Sequence, residues 1–136
     1  MDTYISPLTT EIKVADDKTR LALQQLKETI APYQSRLIIV GIPSKAQVYR
    51  SMREISRFNL DRRSESYAQN IISNQTYSFD QPDKLTQAAA KAESIPYYSL
   101  LPLFRSHTND NLFYQLDSHW NNVGQSLATN FIRNLI

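Results

Sequence analysis

The sequence predicts an α/β fold with a short parallel sheet. Apolar residues recur at helical spacing in several stretches of the 136-residue chain, and strand-sized apolar stretches lie between them. The stretch at residues 37–42 is continuously apolar rather than alternating, which is typical of a strand that is covered on both faces. Strands that alternate with helices favour right-handed crossovers and therefore a parallel sheet.

The length and the glycine content bear on domain organisation. A chain of 136 residues with 41% hydrophobic residues fits one domain with one core, so residues 1–136 are predicted to form a single domain. The predicted strands are few for a free-standing sheet. The chain has only two glycines, Gly41 and Gly124, whereas enzyme sites often need glycine for tight turns. We therefore expect an incomplete domain whose site is completed outside this chain.

The composition excludes several classes of function. The absence of cysteine excludes a disulfide scaffold, a cysteine nucleophile and thiolate metal sites. His107 and His119 leave little for a histidine metal site, and a formal charge of +2 is too small to indicate a nucleic-acid partner. No apolar run approaches the roughly 20 residues of a membrane span. Residues 1–10 have neither the basic start nor the apolar stretch of a signal peptide. We expect neither a metal nor a cofactor.

The first predicted elements are a helix and a buried strand. Residues 16–31 have an apolar side at helical spacing, and Pro32 ends this helix because the residue before a proline avoids the helical region. A strand is predicted at residues 36–42. Residues 43–45 then lie at its carboxyl edge, where open α/β sheets bind ligands.

A basic stripe follows the strand. Residues 46–58 are predicted to form a helix with Arg50, Arg53 and Arg57 opposite its apolar side. We interpret these arginines as a solvated face. The alternative is a surface that docks a polyanion, such as an acidic polysaccharide.

The second half is predicted to continue the alternation of helices and strands. Residues 62–80 give the weakest pattern. The elements predicted beyond them are a helix at 82–93, a strand at 95–101, a polar loop at 106–111, a short extended run at 112–116 and a helix at 121–136.

The candidate chemistry lies just before the last helix. Asp117 stands two residues before His119, so its carboxylate can orient the imidazole and stabilise the charged ring, as in a hydrolase triad. Histidine suits general-base work because its ordinary pKa is near 6.5. The alternative is that these residues have only structural roles. Asp117 and Asn121 would then be helix-start residues, and His119 would donate a local hydrogen bond.

Two sequence blocks resemble one known family. Residues 112–124 read Leu-Phe-Tyr-Gln-Leu-Asp-Ser-His-Trp-Asn-Asn-Val-Gly, which resembles the block Y-Y-x-x-D-x-H-W-N-x-x-G of the alginate O-acetyltransferases, a family of SGNH-hydrolase-like proteins. Residues 37–49 are similar to a strand of the same family followed by P-x-K-x-x-x-Y. The resemblance extends from about residue 16 to the C-terminus, with residues 46–80 aligned loosely.

The resemblance implies roles for four residues. Asp117 would be the catalytic orienting carboxylate, and His119 the catalytic base that deprotonates a serine. Lys45 and Tyr114 match family positions near the active-site edge, so they are candidate substrate-binding residues. The family places its serine in a G-x-S block beyond D-x-H. The one G-x-S that follows D-x-H in this sequence, Gly124-Gln125-Ser126, falls within the predicted last helix and therefore lacks that context. None of its serines is marked by context as a nucleophile.

The resemblance also implies a fold, partners and a location. It implies part of a flavodoxin-like, three-layer SGNH-hydrolase sandwich that transfers acetyl groups to exopolysaccharide hydroxyls, as in alginate biosynthesis. The partners would be the polysaccharide and an acetyl-donor protein, and the location would be the periplasm or cell envelope. A sheet cut short would also favour self-association.

Two functional hypotheses follow. The first is a piece of a polysaccharide O-acetyltransferase that lacks its nucleophilic serine and is therefore inactive alone. The second is a non-catalytic SGNH-like module that binds an acidic polysaccharide or a partner protein through Arg50, Arg53 and Arg57.

Overall fold

The computed structural model describes residues 2–51 and 76–135, which are mixed α/β and mostly helical. The chain divides into two compact units, Met1–Gly41 with Asn70–Tyr98 and Ile42–Gln69 with Ser99–Ile136. The prediction of a single domain over residues 1–136 stays a prediction.

The described strands are β1 (Ile5–Ser6), β2 (Ile39–Gly41), β3 (Thr76–Tyr77) and β4 (Tyr97–Ser99). The described α-helices are α1 (Thr10–Ile30), α2 (Lys45–Tyr49), α3 (Gln81–Ala92), α4 (Leu101–Ser106) and α5 (Asn122–Arg133). Short 3-10 helices span Asp2–Tyr4, Ala31–Tyr33 and Thr108–Asp110.

Helix α1 begins earlier than the predicted residue 16. The Thr9 hydroxyl accepts a hydrogen bond from the Ile12 amide at 3.4 Å, which caps the first turn and lets the helix run over 21 residues. The helix ends at Ile30, before Pro32, as predicted. No residue of α1 is buried, so this helix lies on the surface of its unit.

The predicted parallel sheet is present and short. Strands β2 and β4 are neighbours, and the Ile39 amide donates to the Pro96 carbonyl at 2.9 Å. Gly41 admits the Tyr97 ring, because a Cβ there would lie 2.0 Å from the Tyr97 hydroxyl oxygen. A second pair, β1 with β3, is antiparallel and was not predicted. Its strands have two residues each, too few to show an alternating pattern.

The predicted strand at residues 95–101 is wrong at its end. Only Tyr97–Ser99 is extended, and helix α4 begins at Leu101 with Pro102 in its first turn. Proline suits that position because the first turn needs no amide donor there. The Ser99 hydroxyl accepts from the Leu101 amide at 3.1 Å, which assists the change of direction.

The predicted helix at residues 46–58 is also wrong in its extent. Helix α2 starts with a capping box between Ser44 and Gln47 and ends at Tyr49, because Arg50 adopts a left-handed conformation (φ 51°, ψ 42°). Arg50, the first member of the arginine stripe, is therefore the residue at which α2 ends. Its other members, Arg53 and Arg57, lie outside the described residues, as does most of the weak pattern at residues 62–80.

The second unit has an aromatic core. Phe104 and Phe113 are fully buried and meet edge to face with ring centroids 6.1 Å apart. Tyr49 packs on Phe113 at 5.8 Å, and Trp120 packs on Phe104 at 4.7 Å. The Arg105 guanidinium of α4 donates to the Gln47 carbonyl of α2 at 2.9 Å. These contacts hold together the part of the unit from which residues 114–119 extend.

The predicted helix at residues 82–93 is confirmed as α3. The helix predicted at residues 121–136 is present as α5, which ends at Arg133. Within residues 2–51 and 76–135, no helix combines the length and the apolar character that a membrane crossing requires.

Candidate active site

Asp117 and His119 lie in the loop of a small hairpin. Phe113 and Trp120 form an antiparallel bridge, and the Tyr114 amide donates to the His119 carbonyl at 3.1 Å. The chain therefore turns back over residues 115–118. The buried Phe113 and the packed Trp120 anchor the base of this loop in the aromatic core.

The start of helix α5 holds the end of the hairpin. The Asn121 carboxamide oxygen accepts from the amides of Val123 at 2.9 Å and Gly124 at 3.1 Å, which is N-terminal capping. Its amide group donates to the carbonyls of Asn111 and Phe113. Gly124 is required by packing, since a Cβ there would lie 2.4 Å from the Leu112 carbonyl oxygen.

The Asp117 carboxylate turns toward His119. Asp117 Oδ1 accepts a hydrogen bond from the His119 backbone amide at 2.8 Å and lies within hydrogen-bond distance of ring atom Nδ1. An ionised carboxylate only accepts, so in the neutral ring this contact favours the proton on Nδ1, with Nε2 unprotonated. The local alternative is confirmed in two parts, because Asn121 caps α5 and His119 donates locally to Asp117. Its third part is wrong, because Asp117 does not cap the helix.

The pair is open to solvent. The His119 side chain is 83% exposed and the Asp117 side chain 53%. The pKa of Asp117 lies below its ordinary value of 3.8 because the His119 backbone amide donates to the carboxylate and, second, because the His119 ring does so. The carboxylate therefore stays ionised at neutral pH, as an orienting group must.

Lys45 and Tyr114 lie close to this loop in different ways. The Lys45 ammonium donates to the carbonyl oxygens of Tyr114 at 3.1 Å and Gln115 at 3.4 Å, so it contacts the backbone that leads into the pair. The Tyr114 side chain is 48% exposed. Their predicted role in substrate binding stays a prediction.

Sequence reasoning missed one contact that helps to place the hairpin. The Trp120 indole Nε1 donates to the Pro43 carbonyl at 3.4 Å, across 77 residues of sequence. A tryptophan next to the histidine was visible in the motif. Nothing in its local sequence identified Pro43 as its partner.

No serine of the described segments completes the pair. The Ser44 hydroxyl accepts from the Gln47 amide at 3.2 Å and thereby caps α2. Ser118 lies between the two candidate residues, and the hydrogen bonds of the His119 side chain lead only to Asp117 in the part of the chain that the structure describes.

The second histidine has a structural setting. His107 follows α4, and its Nδ1 lies 2.9 Å from the Leu103 carbonyl and 3.0 Å from the Ser106 hydroxyl. It is half-buried, within the stretch that the sequence predicts as a polar loop at residues 106–111. No group of three or more acidic, histidine or cysteine side chains in residues 2–51 and 76–135 could hold a metal ion.

Comparison with known proteins adds no relative: no family model, no curated protein and no solved structure matches this chain.

Proposed function

We propose that Asp117 and His119 are the carboxylate and base of an acyl-transfer site that acetylates hydroxyl groups of an extracellular polysaccharide. The observation that carries the proposal is the contact between Asp117 Oδ1 and His119 Nδ1, which leaves Nε2 as the exposed base. A base alone accelerates acyl transfer only slightly. A base that is oriented by an ionised carboxylate and lies next to a hydroxyl accelerates acyl transfer much more.

The reaction has two halves with one proton carrier. In the first, His119 Nε2 takes the proton of a serine hydroxyl as its oxygen attacks the acetyl carbonyl, and the donor's leaving group then takes that proton. In the second, Nε2 takes the proton of a sugar hydroxyl, whose oxygen attacks the acetyl-serine, and the departing serine regains the proton. Asp117 remains ionised throughout and stabilises the charged ring.

The proposal includes a fold and a source for the serine. Strands β2 and β4 are parallel neighbours, and they would be part of a larger flavodoxin-like SGNH sheet. The nucleophilic serine and the donors that stabilise the oxyanion would be supplied from outside this chain. The exposure of the His119 side chain agrees with this source of the serine, because the segment that carries the serine must reach Nε2.

The substrate, the partners and the location follow from the sequence resemblance. The acceptor would be an exopolysaccharide such as alginate, and the acetyl group would come from a donor protein outside the cytoplasmic membrane. Tyr114 is 48% exposed, and an aromatic side chain that solvent can reach suits stacking against a sugar ring.

The test is the acetate content of the extracellular polysaccharide in cells that encode this chain. His119→Gln should reduce ester-linked acetate to the level of cells lacking the gene, because glutamine cannot shuttle the proton. His107→Gln is the matched control and should leave acetate at the wild-type level. Unchanged acetate in His119→Gln cells, or in cells without the gene, would overturn the proposal.

A further inference from the structure

Two contacts from one short segment hold opposite sides of the hairpin. The Lys45 ammonium donates to the carbonyls of Tyr114 and Gln115, on the strand that enters the loop. The Pro43 carbonyl accepts from Trp120, on the strand that leaves it. Asp117 and His119 lie between these two attachment points.

The segment that makes these contacts is itself well fixed. Ser44 and Gln47 form a capping box, so the backbone around Lys45 is tied at the first turn of α2. Ala46 and Val48 of the same helix are buried, with exposed fractions of 2% and 3%. The Lys45 side chain therefore extends from an anchored backbone toward the loop.

The loop has little burial of its own. Residues 114–117 are all exposed, and Leu116 at the tip is 93% exposed. A short exposed loop with few packed side chains samples several conformations unless polar contacts restrain it. A charged donor on two carbonyl oxygens is a strong restraint, because charge-assisted hydrogen bonds are stronger than neutral ones.

We propose that Lys45 is a positioning residue, whose ammonium holds the carbonyls of Tyr114 and Gln115 and thereby keeps Asp117 against His119. The catalytic meaning of this contact rests on the function proposed above. The contact itself can be tested without any assay of acetyl transfer. Lys45 acts in this role through the backbone of the loop.

The test is NMR spectroscopy of the full chain with Lys45→Met, which removes the charge and keeps most of the alkyl chain. In the wild type, amide order parameters of residues 115–118 should be near the rigid value of about 0.85, and in the variant they should fall below about 0.6. The pKa of the Asp117 carboxyl, followed by its carbon shift, should rise toward 3.8 as the bonds from His119 are lost.

Two control variants separate positioning from general stability. Lys45→Arg keeps a charged donor and should restore both the order parameters and the lowered pKa of Asp117. Lys27→Met removes a lysine that also donates to a backbone carbonyl, that of Glu93 at 2.7 Å, and should change neither. A direct charge effect of Lys45 on Asp117 would fade in about 0.5 M salt, where screening acts over a few ångströms, whereas the loss of order would persist.

The outcomes decide the proposal in each case. Loop order and the pKa of Asp117 that are unchanged in a folded Lys45→Met variant would overturn it. A mobile loop in the wild-type chain would overturn it too, and that measurement needs no variant to fold. If the loop behaves as expected while acetate in His119→Gln cells is unchanged, Lys45 positions the pair but the proposed function fails.

Discussion

Asp117 makes two different hydrogen bonds to one neighbour, and the two have separate consequences. The bond from the His119 backbone amide fixes the carboxylate in the loop, and the contact with ring atom Nδ1 fixes the imidazole. Both lower the pKa of Asp117, and the backbone amide has the larger effect. The aspartate is therefore held by the chain itself and can orient a ring that is otherwise free in solvent.

Removing the His119 ring tests whether the backbone amide lowers the pKa of Asp117 more than the ring does. In His119→Ala the backbone amide still donates to Asp117, so the pKa of Asp117 should stay below 3.8 but lie above its wild-type value. A carbon-detected titration of the carboxyl measures both. A pKa fully restored to the ordinary value would mean that the ring, rather than the amide, is the main cause.

The same lowered pKa gives stability a pH dependence with a defined sign. A carboxyl whose pKa is lower in the folded state contributes stability above its unfolded value, and that contribution is lost as the pH falls through the folded value. The wild type should therefore be more stable than Asp117→Asn above pH 3.8, with a difference that shrinks below it. Urea unfolding across this range measures the difference. A gap that widens toward acid would contradict the argument.

The start of α5 holds the segment that carries Asp117 and His119 in place. Asn121 accepts from two amides of the helix and donates to two carbonyls of the preceding strand. Gly124 lets the helix approach the Leu112 carbonyl closely. The residues that follow His119 in the motif thus have structural reasons for their identity, apart from any chemistry.

Removing the cap should cost a typical amount of stability. Asn121→Ala should destabilise the chain by about 1 kcal/mol, within the usual range of roughly 0.5–2 kcal/mol for a lost N-cap. Asn122→Ala, one residue later in the exposed first turn, is the matched control and should stay within about 0.5 kcal/mol. Chemical denaturation measures both. Equal effects of the two substitutions would rule out capping as the role of Asn121.

Elements with long periodic patterns could be predicted from sequence, whereas contacts between distant segments could not. Helices α3 and α5 carry clear apolar stripes, and the Asp117–His119 contact follows from a spacing of two residues. The contact from Lys45 to Tyr114 spans 69 residues, so no local pattern could reveal it. The end of α2 was missed because the apolar spacing continues past Arg50, whose left-handed conformation breaks the helix.

The isolated chain should be inactive in acetyl transfer. The chain supplies a base and its orienting carboxylate, while the proposal takes the serine from elsewhere. Purified protein should therefore hydrolyse a model acetyl ester no faster than His119→Ala, and it should show no burst of acetate. A stoichiometric burst that His119→Ala abolishes would show that this chain contains its own nucleophile.

The tautomer of the His119 ring, read from side-chain nitrogen shifts at alkaline pH, shows whether Asp117 orients the imidazole. A neutral imidazole carries its one proton on a single nitrogen, and a carboxylate that only accepts draws that proton to Nδ1. We predict the Nδ1–H form for His119 in the wild type and its loss in Asp117→Ala, which removes the acceptor oxygen. An Nε2–H ring in the wild type, or a tautomer unchanged by Asp117→Ala, would contradict the assignment of His119 as an oriented base.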